Sequence, residues 1–296
     1  QHRFTAQNTA HLVDAAVVIA PRNAVASAPV HLLFVATQPH VSSYPRTLVI
    51  AEQGSALTVI EDYVALTDEA YLTNSVTELA LADNAQMHHI RLQRESGSAF
   101  HIARCALTQA RDSQYHGVSI ALGGEISRLD TTALQSGEGT HCALDGLAHI
   151  AAQQVADTHT CITHAQAHGT SRQLHKCIVA DSAHAVFNGR VQVHPGAQKI
   201  DSAQSSRTLL LGPKARVNTL PQLEINADDV RCTHGATVGQ LDNDALFYLQ
   251  SRGLSPEAAR RLLTYAFAAE VIARIPVASV RQQLETTVLH HRSTQP

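Results

Sequence analysis

A cysteine and a histidine two positions apart are the residues of this chain with the clearest capacity for chemistry. Cys232 and His234 lie in the segment over residues 228–239, DDVRCTHGATVG. Side chains alternate between the two faces of a strand, so an extended segment would place both on one face and Thr233 on the other. A thiol and an imidazole side by side bind a soft or borderline metal. Two ligands do not close a four-coordinate site, so the pattern predicts half of a metal site that is completed from elsewhere.

The remaining histidines and cysteines give weaker signals. Most of the 19 histidines occur singly among polar residues, as is typical of solvated strand and turn positions. His88-His89 and His290-His291 are adjacent pairs, but neighbouring side chains diverge on a strand or a helix, so neither pair is expected to share a metal. The five cysteines, at positions 105, 142, 161, 177 and 232, have no Cys-x-x-Cys spacing and indicate a reducing compartment rather than a disulfide framework.

The overall composition narrows the class of protein. The chain has 296 residues, a formal net charge of -3 and 16% charged residues, which argues against a general nucleic-acid binder. No apolar run approaches the length of a membrane span, and no secretory signal is visible, so we expect a soluble protein. The start at Gln1 rather than Met predicts a fragment or a processed form. Aromatic residues are only 4% and Trp is absent, so the core must be built from small and aliphatic residues.

Short apolar runs separated by turn residues recur from about residue 48 to residue 226. Turn signals such as Gly123-Gly124, Asn188-Gly189 and Gly212-Pro213 follow many runs, which repeat at intervals on the order of a dozen residues. Evenly spaced strands without intervening helices predict a sandwich, a barrel or a β-solenoid. The length of the span and the small apolar residues favour the solenoid. The predicted fold is mainly β: entry strands over residues 1–47, a β-helix (β-solenoid) core over 48–241 and a C-terminal α-helical subdomain over 242–296.

The pattern becomes helical after Gly239. Asp242 is the predicted N-cap of a helix over residues 243–252 that ends at Gly253, and Ser255 is the predicted N-cap of a second helix with Pro256 at its first position. The apolar residues expected on shared faces are Leu246 and Leu249, then Leu262, Leu263, Ala266, Phe267, Ala269 and Ile272, then Val280, Leu284 and Val288 in a third segment over residues 277–291. We expect these helices to cover the last turn of the β-domain, with faces broad enough to dock a partner.

Four stretches of the sequence resemble the SufB/SufD family of iron–sulfur cluster assembly proteins. They are AVFNGRVQV at residues 185–193, PQLEINADDVRCTHGATVG at 221–239, LFYLQSRGL at 246–254 and LTYAFAAE at 263–270. Within the family the chain is most similar to SufD. SufB-like chains carry an assembly cysteine in the strand that corresponds to residues 198–211, which has none here, and usually an acidic residue at the place of Gly235. The family's long helical N-terminal region is absent, which agrees with the truncated start.

The resemblance implies a fold, a set of partners and a site. It implies a β-helix core with a helical subdomain, pairing with SufB through the last strands of the β-helix, and docking of the ATPase SufC on the helices. It places His234 at the SufB–SufD interface, where an iron–sulfur cluster would be held transiently between the subunits, with Cys232 beside it. The residues expected to contact partners are Glu224, Asp228 and Arg231 for SufB, and Leu246, Leu249, Arg252, Leu263 and Phe267 for SufC. ATP would act only through SufC, and the expected location is the cytoplasm or a plastid stroma.

Three interpretations remain open beside this one. The first is a β-helical enzyme acting on polysaccharide, with its carboxylates supplied by Asp130, Asp145, Asp157 and Asp181. The second is a structural adaptor without a metal role, in which Cys232 is a small buried residue and His234 an interface residue. The third concerns the ligand, because the sequence does not decide between iron, a cluster and a flavin.

The chain lacks a Walker phosphate loop and a Gly-x-Ser-x-Gly motif, so we expect no enzyme. An exposed terminal strand also predicts self-pairing when the natural partner is absent.

Overall fold

The structure, a computed structural model, describes residues 3–290, so the predictions that fall on Gln1 and His291 lie outside the described residues. Within this range the chain forms 17 strands and four helices. In chain order they are α1 Arg3–Ala10, β1 Ala16–Ala20, β2 Val30–Ala36, β3 Ser42–Ser43, β4 Arg46–Ala51, β5 Ala56–Ala65, β6 Leu72–Leu81, β7 Gln86–Gln93, β8 Phe100–Gln109, β9 Gln114–Ala121, β10 Ile126–Gln135, β11 His141–Ile150, β12 Val155–His164, β13 Thr170–Val179, β14 His184–Val193, β15 Ile200–Leu210, β16 Arg216–Ile225, β17 Val230–Gly239, α2 Asn243–Ser251, α3 Pro256–Ile272 and α4 Ala278–His290.

The strands wind into a parallel β-solenoid of about eight turns, which confirms the predicted fold class. Even-numbered strands from β4 to β16, with β1 and β3, form one sheet, here called sheet A; β2 and the odd-numbered strands from β5 to β17 form sheet B. Strands that pair within a sheet are one coil apart along the chain. Ile126, Val155 and His184, for example, are paired residues on three neighbouring strands of sheet A, and each is 29 residues from the next. Each coil therefore contributes one strand to each sheet, and a residue stacks on its equivalent in the next coil.

The interior between the sheets is built by the alternation of side chains along each strand. Val49, Leu79, Leu107, Ala133 and Ile162 occupy equivalent inward positions on successive sheet A strands and are all less than 4% exposed. Small and β-branched residues suit this narrow space, because each must fit between its neighbours in the adjacent coils. The interior is not purely apolar, however, since serine, threonine, glutamine and histidine side chains also point into it.

The outer face of sheet B is apolar as well, and the C-terminal helices cover it. Ile90, Val118, Leu147, Leu174 and Ile178 form one buried cluster with apolar residues of α3 and α4. Helix α3 lies across β11 and β13 in the middle of the solenoid, while most of β17 is exposed. The prediction that the helices cover the last turn is therefore wrong. The physical reason is that sheet B exposes an apolar stripe over many coils, which needs more cover than one end does.

The predicted helix ends are confirmed, but the buried face of the second helix differs. Asp242 accepts hydrogen bonds from the backbone N–H groups of Asp244 and Ala245, Ser255 caps α3, and Gly253 has φ +95° after α2. In α3 the buried residues are Ala259, Thr264, Ala268, Val271 and Ile272, whereas Leu262 is 41% exposed and Ala266 is exposed. The predicted stripe was thus placed partly on the solvent side. In α4, Val280, Leu284 and Val288 are buried as expected.

Two local predictions need correction. Asn188-Gly189, interpreted as a turn, lies in the middle of β14, where a Cβ at Gly189 would stand 1.8 Å from Nε2 of Gln204. This glycine therefore serves close packing inside the solenoid and not a turn. Helix α1 replaces part of the predicted entry strands, and Asn8 anchors it by donating hydrogen bonds to the carbonyl oxygens of Pro45 and Asn74. None of the helices in residues 3–290 is long and apolar enough to cross a membrane.

Candidate functional site

The candidate site lies on the last turn of the solenoid. Strand β17 is the last strand of sheet B and pairs in parallel with β15, and β16 is the last strand of sheet A. Among the described residues no strand pairs with the outer edge of either one, so both sheets end with unpaired backbone N–H and C=O groups. An uncovered sheet edge is a template for pairing with another chain. This end also carries the exposed apolar side chains of Leu220, Ile225 and Val238, which the sequence analysis did not single out.

Cys232 and His234 lie on the same face of β17, as the alternation predicts. They stand opposite Ser202 and Gln204 of β15, whose side chains are buried inside the solenoid. Cys232 is half-buried and packs against a buried cluster formed by Val191, Val193, Ala197 and Ile200. Burial raises the pKa of its thiol, with a further contribution from the Asp201 carboxylate, so the neutral form is favoured. His234 is exposed, and its ring makes no hydrogen bond to any residue from 3 to 290.

A chain of polar side chains leads from this pair into the solenoid. Gln204 donates to Gln173 at 2.7 Å, and Gln173 donates to the Thr160 hydroxyl at 2.7 Å. His175 lines the same internal cavity as Gln173, and its Nε2 is buried without a hydrogen-bond partner in the described part of the chain. His234 is thus the exposed end of an inward-facing column whose inner members, Gln204 and Gln173, are joined by a hydrogen bond.

Charged groups lie deeper in the same interior, and the sequence analysis missed them. His89 contacts Oε2 of Glu61 through Nε2 at 3.2 Å and the Tyr115 hydroxyl through Nδ1 at 2.9 Å. Burial would raise the pKa of Glu61, but the hydrogen bond and charge of His89 and the charge of Arg91 lower it to about 2. Burial would lower the pKa of His89, but its contacts with Cys105 and Glu61 raise it to about 9. Period-2 alternation could have marked Glu61 as inward-facing, since its neighbours on that face are apolar.

The described residues do not by themselves form a closed metal centre. From residue 3 to residue 290, no three or more His, Cys, Asp or Glu side chains come together in a group that could hold a metal ion. Cys232 and His234 are therefore an incomplete ligand set on an exposed edge. This is the arrangement expected of a half-site, although the same geometry also fits a histidine that only contacts a partner.

The residues expected to contact SufB surround the last turn. Glu224 is exposed on β16; Gln192 donates to it at 2.9 Å and Arg190 at 2.5 Å, and these hydrogen bonds hold its pKa below the usual range. Asp228 is exposed in the loop between β16 and β17, and Arg231 is exposed on β17. The three side chains therefore lie around one end of the molecule without forming a catalytic group.

The residues expected to contact SufC divide between the surface and the core. Leu246 is 8% exposed, and Phe267 packs against sheet B with Lys176 Nζ 4.4 Å from its ring centre. Leu249 and Leu263 are half-buried, and Arg252 is exposed. The large apolar side chains that face solvent are instead Phe247 at 74%, Tyr248 at 55% and Leu262 at 41% exposure. Helical periodicity placed α2 correctly, but it did not show which apolar residues the solenoid covers.

The carboxylates of the polysaccharide hypothesis do not form an acid–base pair. Asp130 and Asp157 are close together on the outer face of sheet A, where Arg128 binds both of them. Asp145 is buried on the opposite sheet beside Arg274, and Asp181 lies in a turn. Both carboxylates are held in ion pairs with the Arg128 guanidinium on an open face, so neither is free to act on a substrate. The geometry therefore gives no support to a glycosidase.

The fold and this end define a class of protein: a parallel β-solenoid with an open last turn and a helical subdomain on one face. Residues 34–267 match the SufBD core domain of the SUF system for iron–sulfur cluster assembly. The chain therefore belongs to the SufBD family, whose members function in iron–sulfur cluster assembly.

Individual relatives agree with this assignment. The chain is 42% identical over 295 residues to an iron–sulfur cluster assembly SufBD family protein of Synechocystis, covering 96% of this chain and 65% of the relative. It is 40% identical over 248 residues to the chloroplastic protein ABCI7 of Arabidopsis thaliana, covering 83% and 52%. It is 39% identical over 245 residues to the iron–sulfur cluster assembly protein SufD of Escherichia coli, covering 83% and 58%. The chain thus spans between about half and two thirds of the length of these relatives.

Proposed function

We propose that this chain is a non-catalytic SufD-type subunit of a SufBCD complex, in the cytoplasm or a plastid stroma. In this proposal the last turn pairs with SufB, α2 and its surroundings dock SufC, and His234 contributes to the interface at which a cluster is assembled. The observation that carries the proposal is the open last turn, which presents an unpaired edge on each sheet together with a thiol and an imidazole. ATP acts on this subunit only through SufC.

Pairing along β16 and β17 would satisfy both open edges at once. A partner strand would continue each sheet, and its side chains would cover Leu220 and Val238, which are 53% and 50% exposed. Arg231 and Asp228 flank this surface and would set which partner approaches and in what orientation. The family resemblance supports SufB as that partner, and the assembly cysteine of SufB would then face His234.

His234 would serve as the ligand from this subunit. A neutral imidazole in place of a thiolate makes a cluster less negative and alters its potential and its lability, as in mixed Cys/His sites. Its ring is exposed and makes no hydrogen bond within residues 3–290, so it is available to a ligand from outside. Cys232 is a weaker candidate, because burial holds it in the thiol form.

Co-purification tests the assembly. The chain should be recovered with SufB and SufC when the three are co-expressed. Replacement of both Leu220 and Val238 by lysine should weaken recovery of SufB by about tenfold or more, which corresponds to a loss of about 1.4 kcal/mol in binding free energy. Leu134→Lys is the matched control, because Leu134 is 39% exposed but lies in the middle of sheet A. Unimpaired recovery of SufB with the double lysine variant would contradict pairing through the last turn.

Anaerobic cluster reconstitution tests the role of His234. His234→Ala should leave the complex assembled but reduce its iron content and its visible absorption. His168→Ala is the control, because His168 is an exposed turn residue outside the last coil of the solenoid. Equal cluster yield from wild type and His234→Ala would favour the adaptor without a metal role.

The apolar surface of α2 is the proposed docking site for SufC. Phe247 and Tyr248 are exposed, so their replacement should not disturb the fold, whereas Leu246 is buried and its replacement would. Opening and closing of an ATPase pair on this surface would pull on the helices relative to the solenoid. Through Lys176 of β13 and Arg207 of β15, which both contact Glu270 of α3, that motion would reach β15, the strand that pairs with β17.

A further inference from the structure

A groove on the outer face of sheet B contains histidines that the proposed function does not use. It has a volume of about 440 Å³, and its polar lining includes His88, His116, His141, Asp145, Arg172 and Arg274. The groove lies beside the helical subdomain, since Arg274 directly follows α3 and the C-cap residue Ala273. The adjacent residue His89 points into the solenoid, so the prediction that His88 and His89 diverge holds.

His88 and His116 come from neighbouring strands and stand directly opposite each other. They are register partners on β7 and β9, their ring centres are 5.5 Å apart, and their planes cross at 63°. A metal bonded to two imidazoles at about 2.05 Å with a tetrahedral angle places the ring centres about 5.2 Å apart. The separation of the ring centres therefore agrees, within a few tenths of an ångström, with joint binding of one metal ion.

A buried carboxylate holds one of these rings from behind. Nε2 of His116 lies 2.9 Å from Oδ2 of Asp145, and Oδ1 of Asp145 accepts a hydrogen bond from Arg274 at 2.7 Å. The Asp145 side chain has no exposed surface. A histidine that binds a metal commonly donates its other ring N–H to a carboxylate, which fixes the tautomer and the ring orientation. Here that contact engages Nε2, so Nδ1 of His116 is the nitrogen left for a ligand.

His88 is the more adjustable member of the pair. Its side chain is exposed, and no residue of the described range forms a hydrogen bond with its ring. Rotation about its side-chain bonds can therefore present either nitrogen to an ion beside His116 without breaking a hydrogen bond.

We propose that His88 and His116 form an open binding site for a divalent transition-metal cation, with Asp145 as the positioning residue for His116. The described residues supply no third His, Cys, Asp or Glu ligand, so water completes the coordination and the ion exchanges readily. The groove shares Arg172 and Arg274 with a second depression that reaches Thr233 and His234, so a continuous surface connects the proposed site with the last turn. The identification of the natural cation as Fe²⁺ destined for a cluster rests on the proposed function. The proposal that these two histidines bind a cation does not depend on it.

An anaerobic titration of the purified chain with Co²⁺, followed by visible absorption, tests the proposal. The wild type should bind one more equivalent of Co²⁺ than His88→Ala, and His116→Gln should lose the same equivalent. Asp145→Asn should weaken that equivalent by about 10- to 100-fold, as expected for loss of an orienting carboxylate. The matched control is His168→Ala, an exposed histidine that also lies near a carboxylate, Glu138.

His88→Ala gives the decisive result, because its exposed side chain has no role in the fold that could confuse the reading. Co²⁺ binding that is unchanged in His88→Ala, or reduced equally in His168→Ala, would overturn the proposal. His234→Ala separates the two hypotheses: it should retain the equivalent that His88→Ala loses. Loss of Co²⁺ binding in His88→Ala with normal cluster yield would keep the metal site and refute only its role in supplying iron.

Discussion

The neutral histidines inside the solenoid predict a loss of stability in mild acid. His175 is 4% exposed, stacks on Phe187 with ring centres 4.5 Å apart, and lies against Gly146. Burial lowers the pKa of His175 from its usual 6.5 to about 4, although the Asp145 charge opposes the shift. The unfolded chain therefore binds a proton between pH 6.5 and pH 4 that the folded chain does not bind, and stability falls as the pH falls.

The size of this effect follows from the two pKa values. From pH 7.5 to pH 5.0, the difference in proton binding by His175 removes about 2 kcal/mol from the free energy of unfolding. His164 is fully buried and burial lowers its pKa to about 4 as well, so it adds a similar amount. The raised pKa of His89 acts in the opposite direction, because its contribution is complete below pH 6.5 and fades towards pH 9. Single variants are therefore needed to isolate the contribution of one histidine to the pH dependence of stability.

Urea unfolding of wild type and His175→Gln at pH 7.5 and pH 5.0, followed by circular dichroism, measures the effect. The wild type should lose about 2 kcal/mol more than His175→Gln over this interval. His168→Gln, at an exposed turn, should lose as much as the wild type. An identical pH dependence in wild type and His175→Gln would refute the reasoning, because it would mean that water or rearrangement relieves the buried imidazole.

Other substitutions test the packing and the docking surfaces. Gly189→Ala should destabilise the fold by about 1–3 kcal/mol through overpacking, and Gly235→Ala, with open space around its Cα, should change the unfolding free energy by less than about 0.5 kcal/mol. Lys176→Met should leave Glu270 with a weaker partner and speed amide hydrogen exchange in α3 while strands β4 to β8 remain protected. Phe247→Ser should preserve the melting temperature but weaken SufC recovery by about tenfold or more in co-purification.

The elements were predictable where the signal is local. Short apolar runs separated by turn residues at regular spacing indicated the solenoid, and Asp242 and Ser255 marked the beginnings of two helices. The placement of the helices was not predictable in this way, because it depends on the outward faces of strands that are far apart in the chain. The sequence also could not show that the solenoid covers Leu246 but leaves Phe247, its neighbour in the same helix, exposed to solvent.

The spacing of residues in the sequence could not predict the site formed by His88 and His116, for a related reason. His88 and His116 are brought together only by the parallel register of β7 and β9, and a shift of one position would turn one ring to the opposite face. The adjacent pair His88-His89 attracts attention in the sequence, yet its members belong to different environments. A sequence method would need the coil length first, and only then could it search for ligands one coil apart.

The same register explains why the last turn is suited to pairing. Inside the solenoid, Gln173 is covered by Gln204 of the next coil, and the two are joined by a hydrogen bond. Gln204 is followed by His234, after which no further strand of the described residues covers the column. A polar group in that position is satisfied by water while it is exposed, but enclosing it without a hydrogen-bond partner or ligand costs free energy. Docking of another sheet edge would enclose it, so such a dock is stable only if the incoming chain supplies a group for the imidazole. The geometry thus couples pairing to ligand supply, and a partner lacking that group should bind wild type more weakly than it binds His234→Ala.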